Sequence, residues 1–314
     1  MPAQGVSGMR FNQKKYRDEV EPKNKQKRGP SMAYMITTGL LASFAPTRFI
    51  LRAHKKRIVN HAVREKNTGP QVPLIFLHGF RGGDYTTNAM VKSAIAAKKR
   101  PGFLKVTADL WGNLRLEGTW TGDPHPLVQV VFEERIVGVY GISFYLHHLL
   151  PQLAQIFGFQ RYDAVAHSMA APCLIRNQMQ HFHNKKMPRL RKAILIAGPF
   201  DGIMFLGDLP NVNQLKDNGR PVLMSPTYMG MLRRRKRLPQ DLQLINIYGN
   251  IMDATNSDKF ISVVSAKAAR YLLAEQCQYY EELEMRGPVA EHSEMHDSPL
   301  VLHIINDFMG LKKE

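Results

Sequence analysis

Cysteine is nearly absent from the chain: of 314 residues only Cys173 and Cys277 carry a thiol, far apart and without C-x-x-C spacing. That excludes a disulfide scaffold, a zinc ribbon and an iron–sulfur site, so stability has to come from packing. A long apolar run is also missing. The best stretch, Ser31 to Ala45, carries no charge but is diluted by Ser31, Thr37, Thr38, Gly39 and Ser43 and is followed by Pro46 and Arg48. A spanning helix wants roughly 20 apolar residues, so a polytopic membrane protein is excluded. Acidic residues are scarce, 26 Asp+Glu against 43 Lys+Arg, for a net charge of +17. There is no internal repeat or low-complexity tract.

What is present fits a folded chain. Hydrophobic residues make up 44% and charged residues 22%, the balance of a protein with a substantial core rather than a disordered or collagen-like one. The positive charge is concentrated at one end. Residues 1–66 hold 15 Lys+Arg against 4 Asp+Glu, a surplus of +11, and residues 67–314 hold 28 against 22, a surplus of +6. Such a leader suits attraction to an anionic membrane surface or to nucleic acid phosphates, both sequence-independent Coulombic effects. No RNP motif, zinc finger or recognition helix accompanies it, so nucleic acid has charge alone in its favour.

The chain divides accordingly. Residues 1–30 read as a disordered basic tail ending at Gly29-Pro30, 31–51 as a marginal hydrophobic segment, 52–72 as a basic linker and 73–314 as the folded domain. The hydrophobic segment admits three readings: an uncleaved signal anchor, an interfacial or soluble helix, or a cleaved signal peptide. An anchor would hold the domain at the membrane or cell surface; a soluble helix would leave it cytoplasmic.

From Pro73 onward, short runs rich in β-branched and aromatic residues alternate with amphipathic stretches, the pattern of a mostly parallel sheet flanked by helices. Strands are predicted at 73–77, 104–108, 128–132, 162–166, 193–197 and 242–248. Helices are predicted at 87–98, 139–157, 169–182, 262–275 and 300–309.

Chemistry enters at Tyr162-Asp163-Ala164-Val165-Ala166-His167-Ser168-Met169-Ala170, a strand running into a helix with a serine at the corner. In a nucleophile elbow the serine sits on a strained turn, and residues two before and two after it must be small so that strand and helix can approach. Both are alanine here where glycine is usual. The plainer reading is a helix N-cap serine. Against it stands Leu77-His78-Gly79-Phe80-Arg81-Gly82-Gly83 after the first strong strand, where an α/β-hydrolase keeps an oxyanion loop. The amides of Phe80 and Met169 are the expected donors to a developing alkoxide. No Walker lysine or G-x-G-x-x-G fingerprint supports a phosphate loop. An acid and a histidine should follow, in that order, on later loops. Residues 249–260 offer Asp253 and Asp258, and residues 291–299 offer His292 and His296; spacing leaves both choices open.

Taken together, P-L-I-F-L-H-G-F-R-G-G, A-H-S-M-A, I-A-G-P-F-D-G at Ile196–Gly202, N-S-D at Asn256–Asp258 and H-S-E-M-H-D-S-P at His292–Pro299 resemble the bacterial cell-surface α/β-hydrolases grouped as domain of unknown function 915. The resemblance spans residues 73 to 310. It implies an α/β-hydrolase fold with a small cap insertion, placed at 203–240, and a serine nucleophile at Ser168. It also maps the base onto His296 and the acid onto Asp258, with His292 the reserve base and Asp253 the reserve acid. The expected activity is a serine esterase or lipase-like hydrolase acting on a small-molecule or lipid acyl ester, without metal or other cofactor.

The alternative is a hydrolase-fold protein of weak activity, tethered at the membrane and binding lipid or protein, motivated by the alanines of the elbow and by the basic leader. Histidines 147, 148, 181 and 183 are expected at surface or core-edge positions rather than around a metal. Arg233 to Arg237 reads as a solvated basic loop. Met204, Phe205, Met224, Tyr228, Met229 and Met231 of the cap read equally as an acyl-pocket lining or as plain packing.

Overall fold

The computed structural model describes residues 53–66, 69–99, 101–135 and 138–311. The tail at 1–30 and the hydrophobic segment at 31–51 therefore lie outside the described residues. Among the described residues no helix is long and apolar enough to cross a membrane.

The chain begins with two short strands, β1 (Ile58–Asn60) and β2 (Val63–Arg64), then enters β3 (Leu74–Leu77), α1 (Asp84–Ala96), β4 (Phe103–Ala108), β5 (Leu114–Trp120), β6 (Leu127–Phe132) and α2 (Val139–Phe157). The second half runs β7 (Arg161–His167), α3 (Ala170–Gln180), β8 (Arg189–Ile196), β9 (Ile203–Met204), β10 (Gly207–Asp208), α4 (Pro226–Leu232) and β11 (Gln243–Asn250). It closes with α5 (Val263–Lys267), α6 (Ala269–Leu273), β12 (Tyr279–Arg286) and α7 (Pro299–Met309). The main sheet has the order β1-β5-β4-β6-β3-β7-β8-β11-β12, with β2 also paired to β5. Only β4 and β5 pair antiparallel; every other neighbour in this sheet is parallel.

Side-chain alternation explains the layers. Along β3, Ile75 and Leu77 face one side and Leu74 and Phe76 the other, all buried. The first side is covered by α2 through Leu146, Leu149, Leu150 and Leu153 and by α3 through Leu174 and Ile175. The second is covered by α1 through Met90, Val91 and Ala94 and by α7 through Val301, Ile305 and Met309. Each fully buried Leu or Ile contributes about 1.5–3 kcal/mol by transfer from water, so these two stripes hold the layers on the sheet. Asn306 Nδ2 donates to Ser93 Oγ at 2.8 Å, fixing α7 against α1. Helix α7 starts at Ser298-Pro299 and stops at Gly310, which takes the left-handed conformation (φ 71°) that favours glycine.

Two regions depart from the sequence reading. Residues 52–72, expected as a linker, contain β1 and β2, which extend the sheet parallel to β5. These strands are exposed and lack apolar alternation, because an edge strand is held by backbone hydrogen bonds such as His61 N to Leu116 O at 2.8 Å. Strands β5 and β12 are also absent from the prediction; β12 is glutamate-rich and lies at the opposite edge.

The expected cap region contains only β9, β10 and α4. Ser225 caps α4 by accepting from the Tyr228 amide at 3.2 Å. Tyr228 and Met231 are buried in the main core and so are packing residues. Of the basic run, Arg234 and Arg235 are half-buried, donating to the carbonyls of Gly230 and Tyr271, and are not wholly solvated.

The topology also decides where a site can form. Strand β6 returns between β4 and β3, and the chain then crosses to β7 on the far side of β3. In open α/β sheets the crevice at such a reversal, beyond the carboxyl ends of the strands, is where ligands bind.

Candidate active site

Ser168 follows β7 directly and precedes α3. Its φ is 59°, in the left-handed region that non-glycine residues rarely occupy, and its amide donates to the Ile196 carbonyl at 2.8 Å. Strand and helix on either side hold this strained corner and turn the side chain out of the sheet. Ala166 and Ala170 are both fully buried, so the elbow forms with alanine at the two positions where glycine is usual.

The expected acid and one of the two candidate bases approach Ser168 from later loops. His292 Nε2 lies 2.9 Å from Ser168 Oγ, and His292 Nδ1 lies 2.8 Å from Asp258 Oδ2. A carboxylate only accepts, so Nδ1 carries the proton and Nε2 is left to accept from the serine hydroxyl. Asp258 is buried; its Oδ1 accepts from the amides of Phe260 at 2.9 Å and Ile261 at 2.7 Å. These two bonds fix the carboxylate in place. The His292 amide donates to the Asp258 carbonyl at 3.0 Å, tying the two loops together a second time.

His296, the expected base, does not take that place. Its Nδ1 meets Asp297 Oδ1 at 2.8 Å, and its ring stands edge-on to His167 with centroids 5.0 Å apart. The reason is local. Residues 291–298 coil through turns, with the Met295 amide on the Glu291 carbonyl, and the bond from the His292 amide to Asp258 sets which histidine faces the serine. The reserve base, His292, bridges Ser168 and Asp258, the expected acid. Asp253 is exposed and spends Oδ1 on the amide and hydroxyl of Thr255, a turn of its own away from the histidines.

The loop after β3 approaches the elbow closely. A Cβ on Gly79 would lie 2.8 Å from Ser168 Cβ and 2.9 Å from the Met169 amide nitrogen, so only glycine fits. Among the described residues, neither the Phe80 nor the Met169 amide donates to another backbone or side-chain group.

Two further histidines, to which sequence reading assigned no role, support this arrangement. His78 is fully buried; its Nε2 accepts from the Phe132 amide at 3.0 Å, so Nδ1 carries the proton and donates to the Gly79 carbonyl at 3.0 Å. Burial pushes its pKa down to about 4. His167, next to Ser168 in the chain, donates Nε2–H to the His292 carbonyl at 3.0 Å. Burial, then the neighbouring His292 and His296, hold its pKa well below the ordinary histidine value. Both are therefore neutral near pH 7 and act as oriented dipoles. Their position in H-G and H-S pairs was visible in the sequence; the carbonyls they meet were not.

Among the described residues no cluster of three or more histidine, cysteine or carboxylate side chains is arranged to hold a metal ion.

A crystal structure of a gene product from Listeria innocua superposes with a TM-score of 0.69 at 22% identity, covering 76% of this chain and 94% of that one. The structure titled "putative cell surface hydrolase" from Lactobacillus plantarum gives a TM-score of 0.64 at 15% identity, covering 79% of this chain and 94% of that one. These likenesses establish the fold. No curated protein matches. Residues 61–312 match the family described as "Alpha/beta hydrolase of unknown function", more than half of the sequence, and the chain belongs to that family.

Proposed function

We propose that the protein is a serine ester hydrolase. The observation that carries this reading is the continuous relay from Asp258 through His292 to Ser168, at 2.8 and 2.9 Å, with the serine on a strained strand-to-helix corner. In this mechanism Ser168 Oγ bonds to the acyl carbon while its proton moves to His292 Nε2, and the carbonyl π pair becomes an alkoxide. Asp258 stabilises the imidazolium and fixes its orientation. The Phe80 and Met169 amides receive the alkoxide charge. Collapse of the tetrahedral species breaks the bond to the alcohol oxygen, which leaves with the proton from His292 Nε2. Water then repeats the sequence on the acyl-enzyme, returning Ser168 and releasing the acid.

Ser168→Ala is expected to abolish both covalent labelling by a fluorophosphonate and turnover of p-nitrophenyl esters in the folded protein. Turnover retained by that variant overturns the reading. The basic N-terminal stretch and the likeness to the cell-surface hydrolase structure from Lactobacillus plantarum support action at the membrane or cell surface. Binding to anionic vesicles that weakens with salt and is lost on removing residues 1–57 would test that placement.

A further inference from the structure

The two most exposed large apolar side chains among the described residues are Phe205 and Leu206, at 76% and 73%. They sit together at the tip of the tight turn between β9 and β10, and nothing in the relay accounts for them. The tip is fixed by several bonds. Ile203 and Leu206 exchange backbone hydrogen bonds at 3.2 and 2.8 Å, and the Phe205 amide donates to the Asp208 carbonyl at 2.8 Å. Phe205 has φ 63°, an uncommon conformation for an aromatic residue, so the turn holds this ring in water at a conformational cost. The same segment reaches the relay: the Met204 amide donates to the Phe260 carbonyl at 2.9 Å, and the Phe260 ring packs edge-on to His292 with centroids 5.5 Å apart.

Beside the tip lies a groove of about 400 Å³, lined on its apolar side by Phe205, Leu209, Val212, Leu223 and Met224. Polar groups on its walls are already engaged with one another. Asp201 accepts from the Ser225 amide at 2.7 Å and from Asn213 Nδ2 at 3.2 Å, and Asp208 accepts from the Leu209 amide and from Ser262 Oγ. An occupant therefore gains little from hydrogen bonding there and much from apolar contact. The volume lies at the small end of the range for small-molecule sites, roughly 300–1,000 Å³, which suits one chain rather than two.

We infer that this turn and groove form an acyl-chain subsite, and that the substrates are esters of a medium-length fatty acyl group whose chain runs from Ser168 past Phe260 toward Phe205 and Leu223. The inference rests on the ester-hydrolase reading for its chemistry, but its binding component is tested separately.

Two variants probe it. Phe205→Gly removes the ring and relieves the positive φ, so the fold is retained; Leu223→Asp places a charge in the groove. In the wild type, kcat/KM for p-nitrophenyl esters from acetate to decanoate should rise about fourfold per methylene until the groove is filled. Both variants should lower the decanoate-to-acetate ratio at least tenfold. Decanoate binding to the full-length Ser168→Ala protein, measured by calorimetry, should weaken at least tenfold when either change is added. Equal chain-length dependence in all three active proteins, or equal decanoate affinity with and without the changes, overturns the subsite while leaving the hydrolase reading intact. No turnover of any ester, with decanoate affinity still lost in both variants, overturns the hydrolase reading and keeps the subsite.

Discussion

The strand-to-helix corner at Ser168 and the loop that carries His292 supply adjacent atoms but are built in opposite ways. Ser168 lies between a buried strand and a buried helix, so the periodicities of β7 and α3 leave it one place to point. His292 lies in a run of turns between β12 and α7, where no periodicity governs direction. What orients it is a set of long-range bonds: its amide to the Asp258 carbonyl, its carbonyl to His167 and its ring to Asp258 and Ser168. A side chain on regular structure is placed by local rules, whereas one on a loop is placed by its partners.

The widest separation this contrast predicts is between the two histidines of the loop. In the ester-hydrolase reading, His292→Ala lowers kcat/KM by roughly 10⁴-fold or more, while His296→Ala stays within about tenfold. Ester kinetics with thermal melts to confirm folding check this, and the reverse ranking would return the base to His296. The acids should separate by a smaller margin. Asp258→Asn is expected to cost roughly 10³–10⁴-fold in kcat through loss of orientation, and Asp253→Asn almost nothing.

A subtler test removes one of the loop's anchors. His167→Phe keeps the ring volume but deletes the donor to the His292 carbonyl. It should lower kcat about tenfold with KM little changed and slow fluorophosphonate labelling in parallel. A variant as fast as the wild type would mean that the loop is held without this bond.

The smallest expected effect is on stability in acid. His78 and His167 are neutral in the folded protein, with His78 titrating at about 4 against 6.5 for an unperturbed histidine. The unfolded chain takes up these protons first, so stability falls as pH drops through about 6.5 and continues to fall until the folded histidine titrates. For His78 the full loss is about 3 kcal/mol. Urea midpoints at pH 7.5 and 4.5 should therefore differ in the wild type, and the difference should shrink in His167→Phe. An unchanged slope would show that His167 contributes nothing to this dependence.

Much of the fold was legible in the sequence because apolar alternation and helical spacing report burial directly. The strands at Leu74–Leu77, Leu127–Phe132 and Gln243–Asn250 and the helix at Val139–Phe157 all lie within a residue or two of their predicted bounds. Strands β1, β2 and β12 were not legible, since two- or three-residue exposed strands and a glutamate-rich edge strand carry no such signature. Tyr228 and Met231, candidates for a pocket by composition, are core residues because α4 folds inward onto Ala268.

The sequence alone determined that a serine stands at a strand-to-helix corner, that a glycine-bearing loop follows the first core strand, and that carboxylates and histidines come later in the order a relay needs. Periodicity and small-residue spacing are local properties, written within a few residues of one another. Only the tertiary structure decided which histidine meets the serine and which carboxylate meets the histidine. It also placed His167 on the carbonyl of His292, because such hydrogen bonds join residues as many as 125 positions apart and depend on how the loops close over the sheet.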